Sequence, residues 1–196
     1  MSINKPYISK LKKNLHNYAI KRREVIKESG DALHHAKRAI FSMHRDNLAE
    51  AEEKIKECEV IFKKLHTKFK NDSKVLDEGS YKAGVEEYVE AALFHQFLTT
   101  DKIGEITSFA VEPEVYLAGL CDVPGELYRY AIKSATVRNL EMVKKCSRLS
   151  NDIIGELIEF NLTSYLRTKF DQAKQANQKI EQVVYEISLK HENIKT

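Results

Sequence analysis

The residues best suited to chemistry are acidic and closely spaced. In the run Gly84-Val85-Glu86-Glu87-Tyr88-Val89-Glu90-Ala91-Ala92-Leu93-Phe94-His95-Gln96-Phe97, a helical wheel sets Glu90 among Leu93, Phe94 and Phe97. Its neighbours three and four residues away include Glu86 and Glu87 but no Lys or Arg, so its own helix gives it no cation. A carboxylate buried in such surroundings must be protonated, matched by a distant cation or bound to a metal, because leaving it charged and alone costs several kcal/mol. Glu87 lies three residues earlier on an overlapping face. Two carboxylates about 4 Å apart repel by ~1 kcal/mol in water and ~4 kcal/mol at an effective dielectric of 20. A divalent ion would turn that repulsion into attraction. Periodicity alone favours a solvated acidic edge on an otherwise buried helix, with a metal site and an intersubunit salt bridge as the alternatives.

Asp122 and Glu126 form a second acidic pair, four residues apart in Cys121-Asp122-Val123-Pro124-Gly125-Glu126-Leu127. They share a face if the segment is helical, although an Asp ahead of a Pro-containing first turn is ordinarily an N-cap. On the basic side, His34, Lys37, Arg38 and Arg45 fall on one side of a helix beside Leu33, Ala36, Ile40 and Met43. Such a set is either a solvated face or a strip contacting phosphates, with too few aromatics to stack bases. His95 ends an apolar turn and reads as a core histidine before it reads as a ligand. The signatures of phosphate loops, nucleophile elbows, His-Glu-x-x-His zinc sites and Glu-x-x-His di-iron bundles are absent from the sequence.

These groups must be positioned by helices. Among 196 residues there are seven Gly, three Pro and no Trp, and 42% are hydrophobic, a composition that predicts an all-α protein with a core large enough to need no disulfide or structural metal. The chain reads as a single helical domain over residues 1–196. Apolar residues at Ile8, Leu11, Leu15, Tyr18, Val25 or Ile26, Leu33, Ala36, Ile40 and Met43 keep a helical period through Gly30. A helix from Lys5 to Met43 is about 57 Å long, against a diameter of roughly 42 Å for a compact chain of this size. It should overhang its own subunit, leaving an apolar stripe for another subunit to cover. A second helix is predicted from an Asp46 N-cap, and a third from Lys74 or Ser80 to Leu98. Two short helices open near Pro113 and Pro124, and the last two span about Asn139–Phe160 and Ser164–Leu189.

Charge is unevenly spread. Residues 1–45 carry a balance of +8, residues 46–126 a balance of −9 and the remainder +4, which sum to the net +3. A basic arm and an acidic middle suit either a polyanionic partner with a cation-binding centre, or two surfaces that attract each other. Cys58, Cys121 and Cys146 show no Cys-x-x-Cys spacing, and no apolar run approaches the ~20 residues of a membrane span. A reducing, cytoplasmic setting is the expectation.

Several of these segments together resemble the translin family, and within it the catalytic branch of translin-associated factor X. They are Lys37-Arg38-Ala39-Ile40-Phe41-Ser42-Met43-His44-Arg45, the run from Gly84 to Phe97, Tyr116-Leu117-Ala118-Gly119-Leu120 continuing to Leu127, Leu166-Arg167 with Phe170-Asp171, and Lys179-Ile180-Glu181-Gln182-Val183-Val184-Tyr185. The resemblance implies a seven-helix subunit that assembles, often as an octamer, into a hollow shell around nucleic acid. It also implies metal-dependent endonucleolytic cleavage of RNA, preferentially single-stranded, with DNA or double-stranded RNA as further partners. Carried over by position, the paired glutamates fall on Glu87 and Glu90, the third acid on Asp122, and a further family position on Glu126. Such hard oxygen ligands suit Mg²⁺ or Mn²⁺. Under this resemblance Glu90 positions or deprotonates the nucleophile, which is either water or the substrate's 2′-hydroxyl.

Overall fold

A computed structural model describes the backbone of residues 3–192 and the side chains of residues 3–189. Seven helices and no strand occur among the described residues: α1 (Lys5–His44), α2 (Leu48–Phe69), α3 (Ser73–Leu76), α4 (Gly79–Thr100), α5 (Pro113–Thr136), α6 (Leu140–Ile158) and α7 (Ser164–Glu192). The all-α, seven-helix expectation therefore holds, although two members of the set differ from those read in the sequence.

The first difference is that Pro113 and Pro124 do not open separate helices. Pro113 begins α5, whereas Pro124 lies buried inside it. A proline here has no N–H to give to the carbonyl of Leu120, a loss that costs a few kcal/mol unless packing offsets it. Val123, Pro124 and Leu127 are all buried, which supplies that packing. The second is that both starts read for the third helix exist: a single turn at Ser73–Leu76, then α4 from Gly79.

Capping is handled by asparagines. Asn4, Asn47 and Asn139 accept from the backbone N–H groups of Tyr7, Glu50 and Met142 at 3.1, 3.2 and 3.1 Å. Asp46 is not the cap predicted for α2. It sits in the left-handed region with φ 60°, and its carboxylate instead accepts the Tyr130 hydroxyl at 2.9 Å and pairs with Lys133.

Helix α1 runs unbroken through Gly30 for 40 residues, about 60 Å. Its buried stripe, Val25, Ala32, Ala36, Ala39, Ile40 and Met43, lies wholly in the second half. The first turns are exposed, including Tyr7, Ile8, Leu11 and Leu15, so the expected overhang is present.

Packing divides the helices into two groups. α1 lies against α2 and α4, α5 lies against α6 and α7, and α4 against α5 joins the groups. α4 is consequently buried on most sides, from Tyr81 and Val85 to Leu93, Phe94 and Phe97. It crosses α5 closely, because a Cβ at Gly119 would lie 2.7 Å from the Glu86 carbonyl oxygen and 2.7 Å from the Val89 Cβ. An aromatic group of Phe62, Tyr81, Tyr88 and Phe109 pins the connection between α4 and α5 onto α2, with centroids 5.3–6.0 Å apart. No helix among the described residues is long and apolar enough to cross a membrane.

The charge asymmetry is used within the subunit. Lys21, Arg22, Lys37 and Arg38 of α1 pair with Asp72, Glu78, Glu87 and Glu50 at 2.8, 2.7, 3.9 and 3.3 Å. The basic arm and the acidic middle thus face each other, although each exposed pair adds only about 0–1 kcal/mol.

Candidate functional site

The close approach of α4 to α5 brings the two acidic pairs of the sequence together. α4 carries Glu86, Glu87 and Glu90, and α5 carries Asp122 and Glu126. Because α5 continues through Pro124, Asp122 is an interior helical residue and not an N-cap, and Glu126 follows one turn later on the same face. The N-cap reading of Asp122 is thereby overturned.

Glu90 is the most constrained of the five. It is 8% exposed and has no hydrogen-bond or ion-pair partner among the described residues, so it is not the solvated edge that periodicity allowed. Burial pushes its pKa up to about 9, and the negative charges of Asp122, Glu126 and Glu87 add to that effect. Glu87 is likewise raised by burial and by Asp122 and Glu126, with Lys37 opposing. These mutual effects place Glu87, Glu90, Asp122 and Glu126 within Coulombic reach of one another.

Protein cations hold the other members. Lys169 of α7 reaches Glu86 Oε1 and Asp122 Oδ2, each at 2.6 Å. Burial still leaves the Asp122 carboxyl above its ordinary range, against the pull of Lys169. For Glu126, burial is outweighed by His44 of α1, whose Nε2 hydrogen-bonds to its Oε2, and by Arg129, 2.9 Å from the same oxygen, so that this carboxyl is held below its ordinary range. Tyr165 donates to Glu86 at 2.8 Å and lies beneath Lys169, 5.5 Å from its ring centroid.

The five acids thus fall into two sorts. Asp122, Glu126, Glu86 and Glu87 are turned to ammonium, imidazole, guanidinium or phenol groups, while Glu90 has none among the described residues. As they stand, no three His, Cys, Asp or Glu side chains among the described residues converge as a ready metal-binding group. The donors are all hard carboxylate oxygens, and the unmatched Glu90 is the feature a divalent ion would satisfy, so the residue types fit Mg²⁺ or Mn²⁺.

The basic residues singled out in the sequence separate. Lys37 turns toward Glu87, Arg38 toward Glu50, and Arg45 lies over the Phe41 ring at 5.6 Å, while His34 is exposed. They do not form one continuous set of free cations. His95 is half-buried and burial lowers its pKa. Cys58, Cys121 and Cys146 are free and buried.

Sequence reasoning assigned no site role to Glu86, His44, Tyr165 or Lys169. His44 and Lys169 lie inside or beside segments quoted for the family resemblance, but only the need of buried carboxylates for cations could have pointed to them.

A helical bundle with an α4–α5 seam that buries carboxylates against cations from α1 and α7 defines the class of subunit. The chain belongs to the translin family, whose model matches residues 20–191. The crystal structure of apo-NeC3PO is similar over 94% of this chain and 98% of that chain, with a TM-score of 0.83 and 22% identity. The structure of AfC3PO in complex with duplex RNA is similar over 95% and 99%, with a TM-score of 0.84 and 22% identity. At such identities the likeness is one of fold. No curated protein matches the sequence.

Proposed function

We propose that this chain is a metal-dependent endoribonuclease of the catalytic branch of the translin family, cleaving RNA, preferentially single-stranded, inside a hollow homo-oligomeric shell, with an octamer as the expected size. The observation that carries this reading is Glu90, a carboxylate almost wholly buried beside three others and paired with no cation among the described residues, Lys169 acting on it only from a distance. Glu87, Glu90 and Asp122, with Glu126, are the residues that would hold Mg²⁺ or Mn²⁺. When bound, the ion supplies acidification of a water and neutralisation of charge on the phosphate. Glu90 holds its own proton at neutral pH in the metal-free site, so coordination of the ion would release that proton and leave a carboxylate able to position the attacking hydroxyl or water. Glu126, fixed by His44 and Arg129, keeps its negative charge at the edge of the site.

Support for an RNA partner comes from the AfC3PO complex, where that protein was solved with duplex RNA. Support for assembly comes from the exposed apolar turns that open α1. A reducing, cytoplasmic setting agrees with three free thiols in the core. His34, Lys37, Arg38 and Arg45, each exposed although Lys37 and Arg38 also face Glu87 and Glu50, are the proposed contacts for phosphates, and binding through them should weaken as salt rises.

A second reading is favoured by the lack of a ready-made ligand trio: a shell that binds nucleic acid without cutting it, its acids serving only to fasten helices through Lys169 and His44. One experiment separates the two. Wild type, Glu90→Ala and Glu90→Gln are incubated with labelled single- and double-stranded RNA in Mg²⁺, Mn²⁺ or chelator, and oligomer size is measured alongside. The nuclease reading expects metal-dependent cleavage by wild type alone with unchanged size. RNA that is bound but left intact in every condition overturns it in favour of the non-catalytic shell.

A further inference from the structure

The acids of the α4–α5 seam do not converge as a metal-binding group among the described residues, and one of them, Asp122, is held by an identifiable cation. The Lys169 ammonium, 15% exposed, lies between α4 and α5 at 2.6 Å from both Glu86 Oε1 and Asp122 Oδ2. It arrives from α7, 47 residues along the chain from Asp122. Two features make this cation displaceable at Asp122 without unfastening the helices. Glu86 has a second donor in the Tyr165 hydroxyl, and the Lys169 ammonium lies over the Tyr165 ring, so one of its two anionic contacts survives if the other is lost. The Lys stem is flexible, whereas Asp122 sits on a buried helical turn between Cys121 and Val123.

We infer that Lys169 is a tethered counter-cation that holds Asp122 while no metal is bound, and that a divalent ion gains Asp122 only by displacing it. This rests on the metal reading above and adds a regulator to it. The ammonium and the ion carry charge of the same sign and claim the same carboxylate, so they exclude each other. Lys169 is therefore a positioning residue. It sets the threshold of metal concentration at which Asp122 becomes available, and it keeps the acidic seam from repelling itself below that threshold.

The test measures Mn²⁺ binding directly, by electron paramagnetic resonance of free Mn²⁺ during titration, on the intact wild-type oligomer and on Lys169→Met, Lys169→Arg and Asp122→Asn. Melting temperature is followed in chelator and in Mn²⁺. Lys169→Met keeps the length of the stem and should bind Mn²⁺ about tenfold more tightly or better, a gain of roughly 1.4 kcal/mol or more. It should also melt lower than wild type in chelator and recover in Mn²⁺. Lys169→Arg, which retains the cation, should show no gain, and Asp122→Asn should lose binding. Wild type that binds Mn²⁺ as tightly as a folded Lys169→Met variant overturns the inference while leaving the metal reading intact. Absence of binding by both, with Asp122→Asn no different, overturns the metal reading and this inference together.

Discussion

Glu90 makes the sharpest statement at the scale of single residues, because its burial converts into a dependence of stability on pH. Its pKa in the fold is about 9, above the ordinary 4.5, so the folded state binds this proton more tightly than the unfolded chain does. The corresponding stabilisation is complete below the unfolded value and is lost as pH rises toward 9; by pH 7 the loss is about 3 kcal/mol. Glu90→Gln removes the titration while keeping the shape. In chelator it should melt several degrees above wild type at pH 8 and together with wild type at pH 5, as read by circular dichroism. An equal difference at both pH values would show that shape and not charge distinguishes the two side chains. Glu126 behaves in the opposite sense, since the His44 and Arg129 contacts outweigh burial and hold its pKa down. Its contribution is present above the ordinary carboxylate range and fades as acid protonates it.

Among the elements, the pairing of α4 with α5 decides whether there is a site at all. Gly119 allows that approach: a methyl group there would meet the Glu86 carbonyl and the Val89 side chain at 2.7 Å, a distance that backbone cannot accommodate without moving. Gly119→Ala should therefore destabilise the fold by about 1–3 kcal/mol in urea titration and weaken metal-dependent cleavage as well, because Glu86 and Glu87 ride on the displaced turn. Gly125, six residues later on the same helix, has open space around its Cα. Gly125→Ala should gain up to about 1 kcal/mol from helix propensity alone. Destabilisation of equal size at both positions would mean that helical geometry, and not the contact between helices, is what the glycines serve.

For the whole molecule, the first turns of α1 are the part that the subunit does not use. Tyr7, Ile8, Leu11 and Leu15 are exposed, and the buried stripe of α1 begins only at Val25. A contiguous apolar stripe of this kind is stable in water when another subunit covers it. Replacing Leu11 and Leu15 together by Glu should leave the helical content and the melting of the isolated subunit nearly unchanged. It should reduce the mass measured by light scattering from that of an oligomer to that of a smaller species. A double variant that keeps the wild-type mass would remove these turns from the interface. If the proposed shell forms and is also the nuclease, loss of assembly should lower cleavage of long RNA without altering Mn²⁺ binding, because the acids all lie within one subunit.

The helices themselves were legible in the amino-acid sequence, since their period and the shortage of breakers are local properties that neighbours three or four residues apart impose, whereas the cap of α2 fell on Asn47 and not on Asp46. The overhang followed from the same count, as length times rise. The spacing also showed that no Lys or Arg lies one turn from Glu90, and with it the acids worth examining. The fate of Pro124 was not legible, because a proline can open a helix or interrupt one, and only the packing of Val123, Pro124 and Leu127 into the core decides that α5 continues. That continuation turned Asp122 from a cap into a partner of Glu126. Nor could any local pattern reveal Lys169, Tyr165 or His44 as companions of the acids, because the ion pairs and hydrogen bonds they make join residues 47 to 83 positions apart. Which cation meets a buried charge is settled by the three-dimensional path of the chain. For the same reason, the tertiary structure alone shows Glu90 left without a partner while its neighbours are matched.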